Sequence, residues 1–226
     1  MSIAENIALV KSRIEQTALR VNRNPVSITL IAVTKYSGIT QINEAINAGI
    51  TDIGENRVQD AREKFPLLAG KVTKHLIGSL QTNKVKSALE EFDFIHSVDR
   101  IELVAEIAKQ ADKMGKQVKF LIQLNISGEK TKHGINPDEL PALLDKTQSH
   151  PHLLPVGLMT IAPVAAEPEE VRPLFRSLKE ILQSNAQNVK SPGDWRFLSM
   201  GMSQDFEVAI EEGANFIRVG TALFRE

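Results

Sequence analysis

A lysine at the end of an apolar run is the residue whose position best suits covalent chemistry. The run Ile28–Val33, with the sequence ITLIAV, leads through Thr34 to Lys35. A lysine that closes a buried strand is partly desolvated, which lowers the pKa of its amine and frees it to attack an aldehyde. Most lysines at strand ends are simply solvated, so Lys35 becomes a candidate only if a matching site lies beside it.

Two glycine-containing segments near the end of the sequence have the composition of a phosphate site. Gly201 and Gly220 permit close approach of the backbone to a ligand, and Ser203 and Thr221 supply hydroxyls where helices would begin. Unpaired N–H groups and the helix dipole favour an anion at such positions. Either hydroxyl alone could be an ordinary helix N-cap, but two similar loops indicate a phosphate.

Arg218 lies inside an otherwise apolar stretch, FIRVG, and an inward arginine needs a partner. One partner is the ring nitrogen of a pyridine cofactor. A guanidinium keeps its proton, so it would leave that nitrogen unprotonated and weaken the cofactor as an electron sink. The alternative is a structural ion pair with Glu55 or another neighbour.

The elements that must position these residues are short strands alternating with helices. This pattern predicts an α/β fold, a single (β/α)8 barrel of the TIM type, with an open doubly wound sheet as the alternative. Residues 1–226 are expected to form one domain, with an extra amino-terminal helix over about residues 2–22. The predicted strands are Ile28–Val33, Asp52–Gly54, His75–Gly78, Phe94–Val98, Val118–Asn125, Leu154–Met159, Arg196–Met200 and Phe216–Val219.

Barrel topology connects the three candidate features. Sites in such barrels lie at the carboxyl ends of the strands, and phosphates are often held after strands seven and eight. In a closed barrel, strand one lies beside strand eight, so Lys35 would face the phosphate loops. Pyridoxal 5′-phosphate (PLP) carries both an aldehyde and a phosphate and fits both ends of this site.

Local signals also predict where several helices begin and end. Gly49 is expected as a left-handed helix C-cap, and Asp99 with Glu102 resembles a capping box. The segment after strand seven is expected to be a helix from Ser203 to Glu212.

Composition narrows the class of protein. The chain has 226 residues and no cysteine, which excludes disulfides and thiol nucleophiles, and its five histidines lack metal-site spacing. A net charge of −1 argues against nucleic acid or an anionic membrane as the main partner. No signal peptide or membrane-length apolar run is evident, so a cytoplasmic protein is expected.

Seven motifs together resemble the pyridoxal-phosphate homeostasis protein family, also called the YggS/PROSC family. They are LIAVTKY, GENRVQD, HLIGSLQTNK, HSVDR, GLMTIAP, LSMGMSQD and IRVGTALF. The resemblance spans nearly the whole chain and implies a fold-type III PLP barrel like the N-terminal domain of bacterial alanine racemase. The residues that it implies are Lys35 for a Schiff base, Ser203, Gly220 and Thr221 for the phosphate, Arg218 for the ring nitrogen, and Asn56 and Met200 near the cofactor.

Two further positions follow from the resemblance. In the family, one loop carries a lysine that is linked to cofactor exchange. The loop around Lys132 matches that family loop only loosely. GENRVQD has Arg57 where many members have tyrosine, which leaves any role at that position open.

The resemblance implies a non-enzymatic monomer that holds PLP and buffers its supply to PLP-dependent apoenzymes. A racemase needs a second acid/base, and the only tyrosine, Tyr36, is expected to point away from the Lys35 face by strand alternation. Two alternatives remain: a PLP-dependent amino-acid racemase-like enzyme, and a cofactor-free sugar-phosphate barrel that uses Lys35 as an aldolase would.

Overall fold

Eight parallel strands close into a barrel, in the order β1 to β8 with β8 paired to β1, in a computed structural model. The structure describes residues 1–129, 131–163, 165, 167–191 and 193–225. The predicted (β/α)8 barrel is confirmed, and the open doubly wound alternative is wrong. The strands are β1 Thr29–Val33, β2 Asp52–Glu55, β3 Thr73–Leu76, β4 Phe94–Val98, β5 Val118–Gln123, β6 Leu153–Met159, β7 Phe197–Ser199 and β8 Phe216–Val219.

A ring of helices covers the barrel. They are α1 Ile3–Arg20, α2 Ile39–Asn47, α3 Val58–Lys64, α4 Val85–Glu91, α5 Ile101–Met114, α6 Leu140–Gln148, α7 Arg172–Ser184, α8 Phe206–Glu211 and α9 Thr221–Phe224. Several are preceded or followed by single 3-10 turns, because prolines such as Pro137 and Pro168 begin the turn before the regular helix.

Strand alternation divides the buried side chains into two layers. In β1, Leu30 and Ala32 point outward into the large cluster between strands and helices. Ile31 points inward and packs in the barrel lumen with Leu121, Val156, Met159 and Phe216. Both faces of β1 are therefore buried, which explains why this strand is a continuous apolar run in the sequence.

The predicted extra helix at the amino terminus is α1. Ser2 caps it, since the Ser2 hydroxyl accepts from the Glu5 amide and the Glu5 carboxylate accepts from the Ser2 amide. Its buried side is a stripe at helical spacing, made of Ile3, Ile7, Val10, Ile14 and Ala18. That stripe packs α1 against α2, α8 and α9 and adds a layer outside the barrel.

Two local predictions are wrong and one is confirmed. Asp99 does not cap α5: its carboxylate accepts from the guanidinium of Arg100, which is itself the N-cap residue and makes no side-chain cap. Ser203 does not begin α8, because residues 203–205 form a turn and Asp205 is the N-cap. Gly49 has a φ of +87° directly after α2, as a left-handed C-cap requires.

Among the helices in the described part of the chain, none is long and apolar enough to cross a membrane.

Candidate functional site

The pairing of β1 with β8 sets the centre of the candidate site. Ala32 is the register partner of Val219, so the residues after both strands emerge side by side at the carboxyl mouth, the end of the barrel where the strands terminate. A Cβ built on Gly220 would lie 3.2 Å from Val33. The predicted adjacency of the Lys35 segment and the loop after β8 is therefore confirmed.

Lys35 itself is more open than its sequence context predicts. β1 ends at Val33, and Lys35 with Tyr36 forms a turn in which both side chains are exposed. The expectation that the strand partly desolvates Lys35 is wrong in this structure. The prediction that Tyr36 points away is also wrong, since the Lys35 Nζ lies 4.9 Å from the centroid of the Tyr36 ring. The alternation that sends neighbouring side chains to opposite faces does not extend beyond the strand end.

A buried ion pair anchors the residue before Lys35. The Thr34 hydroxyl donates to Glu55 Oε1 at 2.7 Å, and Lys64 Nζ donates both to that oxygen and to the Thr34 carbonyl, each at 2.8 Å. Glu55 is fully buried, and its other oxygen, Oε2, has no partner among the described residues. Thr34 is thus held through both its hydroxyl and its carbonyl, which fixes the backbone from which the exposed Lys35 side chain extends.

The two predicted phosphate loops meet directly. The Ala222 amide, in the first turn of α9, donates to the Ser203 hydroxyl at 3.4 Å. Gly201 has a φ of +91°, and a Cβ there would lie 2.6 Å from the Cβ of Ala209 on α8, so a side chain would be strained and would clash. Thr221 begins α9, as predicted, and its side chain is exposed at the mouth.

Arg218 occupies the lumen beneath these loops. Its Nη1 donates to the Ser199 hydroxyl at 2.5 Å and its Nη2 to the Thr160 carbonyl at 2.8 Å. The alternative of an ion pair with Glu55 is wrong, and none of the ion pairs found among the described residues involves Arg218. Burial lowers the pKa of Arg218 to about 10, against an opposing effect of the Asp205 carboxylate. The guanidinium therefore remains charged at neutral pH.

The remaining predicted residues lie at different depths. Asn56 follows β2 half-buried, and its carbonyl packs so tightly on Gly78 that a Cβ there would lie 2.3 Å away. The Met200 side chain packs in the cluster between strands and helices, on the opposite side of the chain from Ser199. It is therefore not directed into the lumen. Lys132 lies in the loop after β5, half-way round the barrel from Lys35, with its Nζ 3.3 Å from Glu129.

Two lumen histidines were not recognised as part of the site from the sequence. His75 lies fully buried in β3 and contacts both Asp52 and His96. His96 contacts Ser199, the residue that also accepts from Arg218. The available signal was the presence of a histidine in each of two consecutive strands, but only the strand register shows that both point inward.

The chain is similar to known proteins in both sequence and fold. Residues 2–226 match the family model described as the N-terminal domain of alanine racemase. A structure of alanine racemase from Clostridium difficile has a TM-score of 0.71 at 12% identity and is covered over 56% of its chain, a likeness that concerns the fold. The fold and the match together define the class, a barrel of the alanine racemase N-terminal domain type.

Relatives with higher sequence identity define a narrower family within this class. Proteins described as "Pyridoxal phosphate homeostasis protein" are 42% identical in Aquifex aeolicus, over 100% of this chain and 99% of the relative, and 38% identical in Pseudomonas aeruginosa, over 99% and 95%. The chain belongs to the family of pyridoxal phosphate homeostasis proteins. PipY of Synechococcus elongatus, solved with PLP bound, has a TM-score of 0.85 at 36% identity, with 99% of this chain and 100% of PipY covered.

Proposed function

We propose that this protein holds PLP covalently, as a Schiff base on Lys35, and serves as a carrier in intracellular PLP homeostasis. The observation that carries the proposal is the β1–β8 register, which sets the Lys35 turn beside the loop after β8, above the buried Arg218. The PLP-bound relative PipY supports the choice of cofactor.

The groups at the mouth fit the two polar ends of PLP. Ser203, Gly220 and Thr221 belong to the two loops that meet through the contact of Ser203 with Ala222, and they would bind the phosphate. Arg218 is charged and fixed by two hydrogen bonds, and it would donate to the ring nitrogen. When bound, PLP supplies an aldehyde that the Lys35 amine condenses with, releasing water.

The exposure of Lys35 suits a carrier more than an enzyme. An amine at an open mouth lets a cofactor enter and leave, whereas enzymes that stabilise reactive intermediates exclude water from the reacting bond. A charged arginine at the ring nitrogen would also keep that nitrogen unprotonated, which disfavours carbanion chemistry. We propose PLP-dependent apoenzymes as the recipients, and a cytoplasmic monomer whose barrel is the whole binding unit.

A racemase-like enzyme remains the second candidate because of Tyr36. The Tyr36 ring lies beside the Lys35 amine rather than away from it, so a phenol is present at the mouth. Racemisation needs acid/base groups on opposite faces of the substrate, and these two side chains approach from one turn. The carrier is therefore the better supported function.

Borohydride reduction tests the covalent link. Purified protein would be incubated with PLP, reduced, digested and mapped by mass spectrometry, alongside Lys35→Ala and the surface control Lys86→Ala. The wild type and Lys86→Ala should carry the reduced adduct on the peptide with residue 35, and Lys35→Ala should lack it. An unmodified wild type, or an adduct that persists elsewhere in Lys35→Ala, would overturn the proposal.

Deuterium exchange separates carrier from enzyme. The PLP-loaded protein would be mixed with amino acids in deuterated water, and incorporation at the α-carbon followed by NMR. A carrier gives no incorporation above free PLP. Incorporation that Tyr36→Phe abolishes would establish the racemase-like alternative instead.

A further inference from the structure

A continuous line of hydrogen bonds crosses the barrel lumen below the candidate site. His75 Nε2 is 2.9 Å from Asp52 Oδ1, His75 Nδ1 is 2.9 Å from His96 Nε2, and His96 Nδ1 is 2.9 Å from Ser199 Oγ. Ser199 also accepts from Arg218. We call these residues the interior chain, from the amino-terminal end of the barrel to its carboxyl mouth: Asp52, His75, His96, Ser199 and Arg218.

The chemistry of its two ends fixes the direction of the interior chain. Arg218 can only donate, and an ionised Asp52 can only accept. With both imidazoles neutral, one arrangement satisfies every link: the Ser199 hydroxyl donates to His96 Nδ1, and each histidine donates from Nε2 to the next acceptor. The opposite tautomers would leave the lone pair of His75 Nε2 facing the carboxylate.

Aromatic rings shield the middle of the interior chain from water. The Phe94 ring stacks on His75 at 5.2 Å, and the Phe216 ring lies 5.5 Å from His75 and 5.4 Å from His96. Both histidines and Ser199 are fully buried. A proton can therefore reach this line most directly from its Asp52 end.

The Asp52 end is open to solvent. The Asp52 side chain is 14% exposed and lines a groove of about 480 Å³ at the amino-terminal end of the barrel. Other cations near the lumen are Lys119 on β5, over the Phe94 ring, and Arg196 before β7, over the Phe197 ring. Arg218 on β8 acts directly on His96 and lowers its pKa. On β1 and β6, Ile31, Val156 and Met159 belong to the apolar cluster of the lumen.

We propose that protonation at the Asp52 end of the interior chain changes the hydrogen bonding of Arg218. The contact between Arg218 and the PLP ring nitrogen then depends on pH. The inference rests on the proposed function, since it takes PLP as the ligand that Arg218 contacts. Asp52, His75, His96 and Ser199 are then positioning residues, because they act through Arg218.

Binding of a second proton to His75 reverses the direction of the hydrogen bonds along the interior chain. A doubly protonated His75 donates to Asp52 and also to His96 Nε2, so the proton of His96 moves to Nδ1 and points at Ser199. Ser199 then receives two N–H groups and loses the acceptor of its own hydroxyl, which weakens its contact with Arg218. Burial, with His75 and Arg218 nearby, lowers the pKa of His96 well below its usual value, so the added charge stays on the Asp52 side.

A pH titration of bound PLP tests this coupling. The absorbance and the Kd of PLP would be followed from pH 8 to pH 5 in wild type, Asp52→Asn and the control Glu15→Gln, which removes an exposed charge in the same groove. Wild type and Glu15→Gln should share one acid midpoint. Asp52→Asn should move it about one pH unit lower, because the amide still accepts from His75 but no longer stabilises its charge.

A double variant distinguishes coupling from a general structural effect. In the Ser199→Ala background, where the link to Arg218 is cut, Asp52→Asn should no longer move the midpoint. Ser199→Thr, which keeps the hydroxyl, should restore the response. Identical midpoints in wild type and Asp52→Asn, or a shift that survives Ser199→Ala, would overturn the inference.

NMR of the histidine side chains tests the direction of the hydrogen bonds in the interior chain without the cofactor. In ¹⁵N-labelled protein at neutral pH, His75 and His96 should both carry their proton on Nε2, and acidification should move that of His96 to Nδ1. A neutral-pH proton on His96 Nδ1 would overturn the proposed direction. Failure of the wild type to bind PLP would overturn the proposed function and the coupling with it, whereas normal binding with unmoved midpoints would overturn the inference alone.

Discussion

At the scale of single residues, burial in the lumen sets the chemistry of the ionisable groups. Arg218 and His96 both contact Ser199 in the interior chain, and desolvation lowers the pKa of both. Arg218 stays charged at neutral pH because its pKa falls only to about 10. His96 stays neutral because it starts from 6.5 and is pushed lower. The same physical cause thus leaves a charged group and a neutral group on either side of Ser199.

Neutral His96 predicts an acid-sensitive fold. Below pH 6.5, the usual pKa of histidine, the unfolded chain binds a proton at His96 that the native state does not bind. The free energy of unfolding should therefore fall with decreasing pH, by up to about 1.4 kcal/mol per pH unit from this residue. Urea denaturation of wild type and His96→Gln between pH 7.5 and 5.5 measures this. His96→Gln should give a shallower slope, and the control His152→Gln should not. Equal slopes in wild type and His96→Gln would contradict the prediction.

At the scale of elements, the site depends on how β1, β2 and α3 are tied together. Lys64 on α3 reaches Glu55 on β2 and the carbonyl of Thr34 after β1. Lys64 is 20% exposed at its side chain and Glu55 is fully buried, so the pair keeps a carboxylate stable beneath the Lys35 turn. The tie connects the residue before Lys35 to two other elements.

Removal of Lys64 alone should lower the free energy of unfolding more than removal of both charges of the Lys64–Glu55 pair. Lys64→Met leaves the Glu55 carboxylate buried without a cation, and should lower the free energy of unfolding by about 3–5 kcal/mol. Adding Glu55→Gln to Lys64→Met removes the unpaired charge and should recover a large part of that loss. Urea denaturation of the three proteins measures the difference. A double variant no more stable than Lys64→Met would contradict this account.

At the scale of the whole molecule, α1 fastens the end of the chain to its beginning. The buried Asn6 side chain donates to the carbonyls of Leu223 and Arg225 at the end of α9. Arg23, which follows α1, donates to the carbonyls of Ile210 and Ala214 around the turn between α8 and β8. Both contacts support the segment that carries the proposed phosphate loops.

Loss of the Asn6 contact should loosen that support. Asn6→Ala leaves the Leu223 and Arg225 carbonyls without this donor and should lower the free energy of unfolding by about 1–3 kcal/mol. The exposed Gln16→Ala on the same helix should change it by less than about 0.5 kcal/mol. Urea denaturation measures both, and equal effects would show that α1 is held by its apolar stripe alone.

Strand and helix positions were predictable where periodicity and β-branched runs are strong. β4 was predicted with its observed ends, Phe94–Val98, and the eight strands were found in the right order. Boundaries failed where turn chemistry decides, as at Asp99, where Arg100 takes the carboxylate, and at Ser203, where a turn precedes α8. Hydrogen bonds to neighbouring side chains decide these ends, and sequence spacing does not show them.

The sequence by itself determined the closed α/β barrel, the two loops near the carboxyl end and the candidates Lys35 and Arg218, because these depend on residue type and on periodicity along the chain. Only the tertiary structure decided that Lys35 is exposed, that Glu55 pairs with Lys64 rather than Arg218, and that His75 and His96 join Asp52 to Ser199. Those contacts link residues from different strands. Closure of the barrel and its register set their distances, and neither quantity is encoded in the spacing of residues along one segment.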